Sequence, residues 1–149
     1  LVSCVIKLTD RKRVSNSDSI TGGGYMGKKY RILIIDDSEE TVDGLKTFFS
    51  EKYEVSTAHN GLDGIKEFDK SDGCLDLVIT DLVMPEISGV GVISVIKMKS
   101  PKLPVIAITG WGEHPSALAR DAQADLVLNK PFELKDLDRH VEELLARKS

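Results

Sequence analysis

From Tyr30 onward, short apolar runs rich in β-branched residues alternate with longer stretches whose apolar positions recur every three or four residues, the sequence form of repeated βα units. Five strands are predicted, at 31–36 (RILIID), 54–58 (EVSTA), 75–80 (LDLVIT), 103–108 (LPVIAI) and 126–129 (LVLN). The first, third and fourth are almost unbroken in Ile, Leu and Val, as a parallel strand needs when helices cover both of its faces. Amphipathic helices are predicted between and after them, at 39–51, 61–70, 88–99, 116–122 and 133–147. In the last of these, Leu134, Leu137, Val141, Leu144 and Leu145 draw one stripe, with Lys135, Asp136, Arg139 and Glu142 off it. Ser38 reads as a helix start, and Pro115 as part of the first turn of the fourth helix, where its missing N–H does no harm.

Alternating βα units with short loops imply right-handed crossovers and an α/β fold, a doubly wound parallel sheet with helices on both faces. In such sheets the chemistry gathers beyond the carboxyl ends of the strands. Those ends carry polar groups: Asp36 and Asp37 after the first strand, Asp81 after the third, Thr109 after the fourth and Lys130 after the fifth. Three carboxylates, one hydroxyl and one ammonium are therefore expected to share one rim. Two carboxylates about 4 Å apart repel by roughly 4 kcal/mol at an effective dielectric near 20, so three together call for a cation or for proton uptake. A hard divalent ion such as Mg²⁺ suits all-oxygen ligands, and Lys130 can pair with one carboxylate and with an incoming phosphoryl oxygen. One of the carboxylates is then a candidate nucleophile toward phosphorus, already ionised at neutral pH and needing no general base.

Taken in order, the segments IIDD (Ile34 to Asp37), ITDLVMPEISG (Ile79 to Gly89), AITG (Ala107 to Gly110) and NKPF (Asn129 to Phe132) resemble the receiver domains of two-component response regulators, over about Lys29 to Arg147. The resemblance implies a flavodoxin-like (βα)5 sheet in the order 2-1-3-4-5. It makes Asp81 the phosphoacceptor and Asp36 and Asp37 the acidic pair that binds Mg²⁺, with the backbone carbonyl of Val83 as a further ligand. It makes Thr109 the switch hydroxyl and Lys130 the conserved lysine, joined to Pro131 by a cis peptide bond. Gly110 keeps access to the phosphorus open. The donor implied is a sensor histidine kinase or a histidine phosphotransfer protein. The output follows as altered contacts of the fourth helix, fifth strand and fifth helix, with a partner protein or a second, phosphorylation-dependent copy of the chain. Two positions depart from the pattern. Val127 stands where the family has an aromatic switch residue, and Gln123 stands where it commonly has glycine, at a cost of about 1 kcal/mol if the backbone there is left-handed.

Composition narrows the alternatives. Of 149 residues, 41% are hydrophobic, enough for one domain with a core plus a tail. With 20 basic and 24 acidic side chains the net charge is −4, which gives neither a nucleic acid nor a membrane surface a reason to bind directly. No run approaches the ~20 apolar residues of a membrane span. Cys4 and Cys74 match no disulfide or metal spacing and read as free thiols in a reducing, cytoplasmic setting. His59, His114 and His140 show no ligand spacing and are assigned to the surface, while Trp111 is a candidate partner anchor.

Residues 1–27 are read as an extension or linker, SNSDSITGGG (Ser15 to Gly24) being flexible in composition, and 28–149 as the receiver domain. LVSCVIKLTDRKR faintly resembles the closing strand and basic tail of a PAS domain; the competing reading makes Met26 the natural start. Two rival functions remain. A Mg²⁺-dependent phosphatase with an Asp nucleophile wants a second Asp two residues on, where this chain has Val83. A pseudo-receiver acting as a constitutive protein-binding module is disfavoured by the intact acidic set and kept open by Val127.

Overall fold

The computed structural model describes residues 29–110 and 113–148. The expectations for the leading 27 residues, for Cys4 and for Trp111 lie outside them, as does the side chain of His114.

Five strands, β1 (Arg31–Ile35), β2 (Glu54–Ala58), β3 (Leu77–Asp81), β4 (Val105–Thr109) and β5 (Leu126–Asn129), alternate with α1 (Glu39–Phe49), α2 (Gly61–Ser71), α3 (Gly89–Lys99), α4 (Glu113–Asp121) and α5 (Leu134–Lys148). The sheet is parallel throughout in the order β2-β1-β3-β4-β5, as the repeated βα pattern and the resemblance implied. Because successive side chains point to opposite faces, each central strand feeds two cores. Ile32, Ile34, Leu77, Ile79, Ile106 and Ile108 pack with Leu45, Phe49, Leu137 and Val141 on the side of α1 and α5. Leu33, Ile35, Val78, Val105 and Ala107 pack with Phe68, Val92, Ile93, Ile96 and Ala119 on the side of α2, α3 and α4. This double covering is why β1, β3 and β4 carry almost no polar residue until their last positions.

Strand starts differ from the sequence reading by two residues, for reasons visible in the hydrogen bonds. Asp76 is buried and reserved for capping: its N–H donates to the Arg31 carbonyl at 2.8 Å, and its carboxylate accepts the Arg31 N–H at 2.8 Å. Strand β3 begins after it. Pro104 has no N–H to give a ladder, and β4 begins at Val105, whose N–H donates to the carboxylate of Asp125 at 2.8 Å.

Asp125 also holds Lys97, the lysine of α3 that falls on the buried stripe with Val92, Ile93 and Ile96. The Lys97 ammonium donates to Asp125 Oδ2 at 2.7 Å, to the Leu103 carbonyl at 2.8 Å and to the Pro101 carbonyl at 3.4 Å. A buried cation is thereby satisfied threefold, and the foot of α3 is tied to the segments leading into β4 and β5.

Helix α4 starts at Glu113, three residues earlier than expected, with Pro115 still in its first turn. At its end Gln123 has φ 74°, the Gln123 N–H donates to the Arg120 carbonyl and the Ala124 N–H to the Ala119 carbonyl. That is a Schellman closure with glutamine in the left-handed position that glycine favours, so the strain anticipated at Gln123 is present. Among the described residues no helix is long and apolar enough to cross a membrane. Cys74 is buried and unbridged.

Candidate functional site

The carboxyl edges of β1, β3, β4 and β5 bring together what the sequence placed there. Asp36 follows the last residue of β1, and its N–H still pairs with the Ala58 carbonyl of β2 at 3.2 Å, which draws its carboxylate under the rim. The Ser38 hydroxyl caps α1 by accepting from the Thr41 N–H, while the Ser38 N–H donates back to Asp36 Oδ1 at 2.9 Å. One residue thus starts the helix and orients the acid before it. Asp81 ends β3 in register with Ile108, and Thr109 ends β4 in register with Asn129. Lys130 follows β5; its N–H donates to the Thr109 carbonyl at 2.8 Å, and the Lys130–Pro131 peptide bond is cis.

One carboxylate oxygen from each of Asp36, Asp37 and Asp81 lies within 4.8 Å of the others. The Lys130 ammonium stands 3.6 Å from Asp36 Oδ2 and 3.9 Å from Asp81 Oδ1. It therefore faces two carboxylates, not the single one expected, and is too far from either for a tight hydrogen bond. Asp36 and Asp81 are buried while Asp37 is exposed, so the cluster opens to solvent on one side.

Burial pushes the Asp36 carboxyl above its ordinary range, against the opposing pull of the Ser38 N–H and Lys130. Burial does the same to Asp81, and the charge on Asp36 adds to it; Lys130 and the N–H groups of Val83 and Leu82 pull the other way. Three acids held close together, two of them buried, against one ammonium at 3.6 and 3.9 Å are short of positive charge. Their donor set is oxygen only and open on one side, which fits Mg²⁺ and suits neither a soft metal nor a closed structural site.

The neighbours shape the approach to Asp81. Val83, half exposed, turns its N–H toward the Asp81 carboxylate. A Cβ on Gly110 would lie 3.7 Å from the Lys130 stem, an ordinary contact, so the small residue leaves open space beside the lysine. Glu86 sits at φ 66° after Pro85, the position of a tight turn that ordinarily selects glycine. Val127 is half-buried and packs into the core on the α2, α3 and α4 side. His59 is exposed and His140 half-buried.

A doubly wound parallel sheet with an acidic, lysine-flanked rim is the arrangement to compare with known proteins. Residues 32–142 match the response regulator receiver domain family. The response regulator SaeR of Staphylococcus epidermidis is 35% identical over 120 residues, covering 79% of this chain and 51% of that protein. The sensor kinase CckA of Brucella abortus is 28% identical over 139 residues, covering 91% of this chain and 14% of that protein. Among solved structures, a response regulator receiver domain protein from Clostridium thermocellum superposes with TM-score 0.75 at 32% identity, covering 80% of this chain and 96% of the other. The response regulator TrrA from Thermotoga maritima, solved in complex with Mg(2+)-BeF, gives TM-score 0.69 at 36% identity over 77% of this chain and 98% of the other. The chain belongs to the response regulator receiver domain family of two-component signalling. It spans about half the length of SaeR and a smaller part of CckA.

Sequence reasoning missed the polar partners that act on the site through the backbone. The Ser38 N–H, the Thr80 hydroxyl and the close approach of Gly89 have no side-chain motif of their own. Ser38 stood out as a helix start, and Thr80 and Gly89 lie within the run Ile79 to Gly89, but nothing in the sequence marked these contacts.

Proposed function

We propose that this chain accepts a phosphoryl group on Asp81 from the phosphohistidine of a sensor histidine kinase or a histidine phosphotransfer protein, in the cytoplasm. The observation that carries the reading is the convergence of three carboxylates and one ammonium on the carboxyl edge of a receiver-domain sheet. In the transfer, a carboxylate oxygen of Asp81 bonds to phosphorus as the phosphorus–nitrogen bond of the donor breaks, and the imidazole nitrogen keeps that electron pair. Asp36, Asp37, Asp81 and the backbone carbonyl of Val83 would hold Mg²⁺, which supplies positive charge for the crowded oxygens. Lys130 offsets a further part of that charge, and the Thr109 hydroxyl donates to a phosphoryl oxygen. Gly110 keeps the path to the phosphorus clear. Slow hydrolysis of the acyl phosphate then returns the free carboxylate.

The phosphoryl group shifts an existing equilibrium, and the output is changed binding by α4, β5 and α5 to a partner protein or a second copy of the chain. The domain is a phosphoacceptor and acts on no external substrate. One observation favours a second reading, a pseudo-receiver that binds partners constitutively: Val127 offers no ring to swing with Thr109. Incubation with acetyl phosphate and Mg²⁺, followed by intact mass, separates the two. One added phosphoryl in the wild type and none in Asp81→Asn is expected; no addition, or addition retained in Asp81→Asn, overturns the proposal.

A further inference from the structure

The main chain of Asp81 is held as well as its side chain. Thr80 is fully buried, and its hydroxyl donates to the Asp81 carbonyl at 3.0 Å. Leu82 is held on both sides, its N–H, in the same peptide unit as the Asp81 carbonyl, donating to the Ile108 carbonyl at 2.9 Å and its own carbonyl accepting the Gly89 N–H at 3.0 Å.

Gly89 opens α3 directly against this segment. A Cβ there would lie 2.7 Å from Leu82 Cα and 2.8 Å from the Asp81 carbonyl carbon, and closer still to the Asp81 carbonyl oxygen. These contacts are with backbone, which cannot swing aside as a flexible side chain could. Its φ is not left-handed, so glycine is needed here for space and not for conformation. Thr80 and Gly89 thus meet at one carbonyl, one by donating to it and the other by leaving room for it.

We propose that Thr80 and Gly89 are positioning residues for the phosphoacceptor: by clamping the Asp81 carbonyl between a buried hydroxyl and the bare start of α3, they fix the direction in which the Asp81 carboxylate meets phosphorus. This rests on the reading of Asp81 as acceptor. Neither residue touches the donor. Their effect is on the geometry of attack, where a misplacement of about 1 Å can slow a reaction by about 100-fold.

The test compares wild type, Thr80→Val and Thr80→Ser, following phosphorylation by acetyl phosphate and Mg²⁺ by intact mass over a range of donor concentrations. Valine keeps the shape and removes the donor; serine keeps the donor and removes a methyl. Loss of one net hydrogen bond from the aligned state predicts that Thr80→Val is slower by about tenfold at saturating donor, with the half-saturating concentrations of donor and Mg²⁺ unchanged. Thr80→Ser returns most of the rate. Gly89→Ala is expected to be slower still; if it does not fold, the threonine pair decides alone. Equal rates in wild type and Thr80→Val overturn the clamp while leaving Asp81 as acceptor. Equal slowing in the valine and serine variants assigns the effect to packing and also overturns it. No phosphorylation of wild type removes the acceptor reading and the clamp with it.

Discussion

The ion pair between Lys97 and Asp125 offers a measurement whose outcome depends on which partner is removed. The Lys97 side chain is 7% exposed and that of Asp125 is 35% exposed, so the ammonium is the member that cannot recover water. Asp125→Ala strands that ammonium with only the Leu103 and Pro101 carbonyls and also strips the Val105 N–H of its acceptor. Breaking a buried pair in this way costs roughly 3–5 kcal/mol, and the partial exposure of Asp125 puts the expectation at the low end, about 3 kcal/mol. Lys97→Met leaves Asp125 bonded to Val105 and able to hydrate, while the thioether fills the stem's space; about 1 kcal/mol is lost. At about 3–5 °C per kcal/mol for a domain of this size, the melting temperature falls by roughly 9–15 °C in the first variant and 3–5 °C in the second. The double variant buries no orphaned charge and should be more stable than Asp125→Ala alone. Urea unfolding, with calorimetry as a check on two-state behaviour, measures all three. A Lys97→Met variant as unstable as Asp125→Ala, or a double variant that loses the sum of the two, would refute the reasoning.

Other expectations follow from the site and from the two strained turns. Gln123→Gly and Glu86→Gly should each stabilise by about 0.5–1 kcal/mol, because glycine adopts positive φ without a Cβ penalty; an unchanged urea midpoint in both counts against the strain. Asp36 and Asp81 have folded carboxyl values above their ordinary 3.8, so between that value and the raised ones the folded chain holds protons that the unfolded chain has released. Stability without added cation should therefore fall as pH rises through this window, and Asp36→Asn should reduce that slope in urea titrations at several pH values. Mg²⁺ at ten times its dissociation constant should stabilise the wild type by about 1.4 kcal/mol at neutral pH, and much less in Asp36→Asn; equal shifts in the two proteins by thermal melting would remove Asp36 from the cation site.

What could be read in the sequence was whatever a side chain advertises by type and period. Unbroken Ile, Leu and Val in β1, β3 and β4 announced burial on both faces, and polar residues ending those runs announced the rim. Strand starts differ from the sequence reading because Asp76 and Asp125 settle them by hydrogen bonds made across 45 and 20 positions of chain, and Pro104 by having no N–H to give. Lys97 carries no motif, yet its place on the stripe of Val92, Ile93 and Ile96 is a signal of burial. Ser38 was legible as a cap; its second task, holding Asp36 through a backbone N–H, has no sequence signature because every residue but proline carries that group.

Helix α3 is fastened at both ends, by Gly89 against the Asp81 and Leu82 backbone and by Lys97 in the three-way grip of Asp125, Leu103 and Pro101. It therefore behaves as a strut of set length. One residue inserted between those points would advance Lys97 by about 1.5 Å and turn it by roughly 100° about the helix axis, away from its acceptors. Among variants of this chain, length changes should accumulate in the exposed turns and leave the eight steps from Gly89 to Lys97 intact, making the count of residues in α3 a constraint in its own right, independent of which apolar residues fill it.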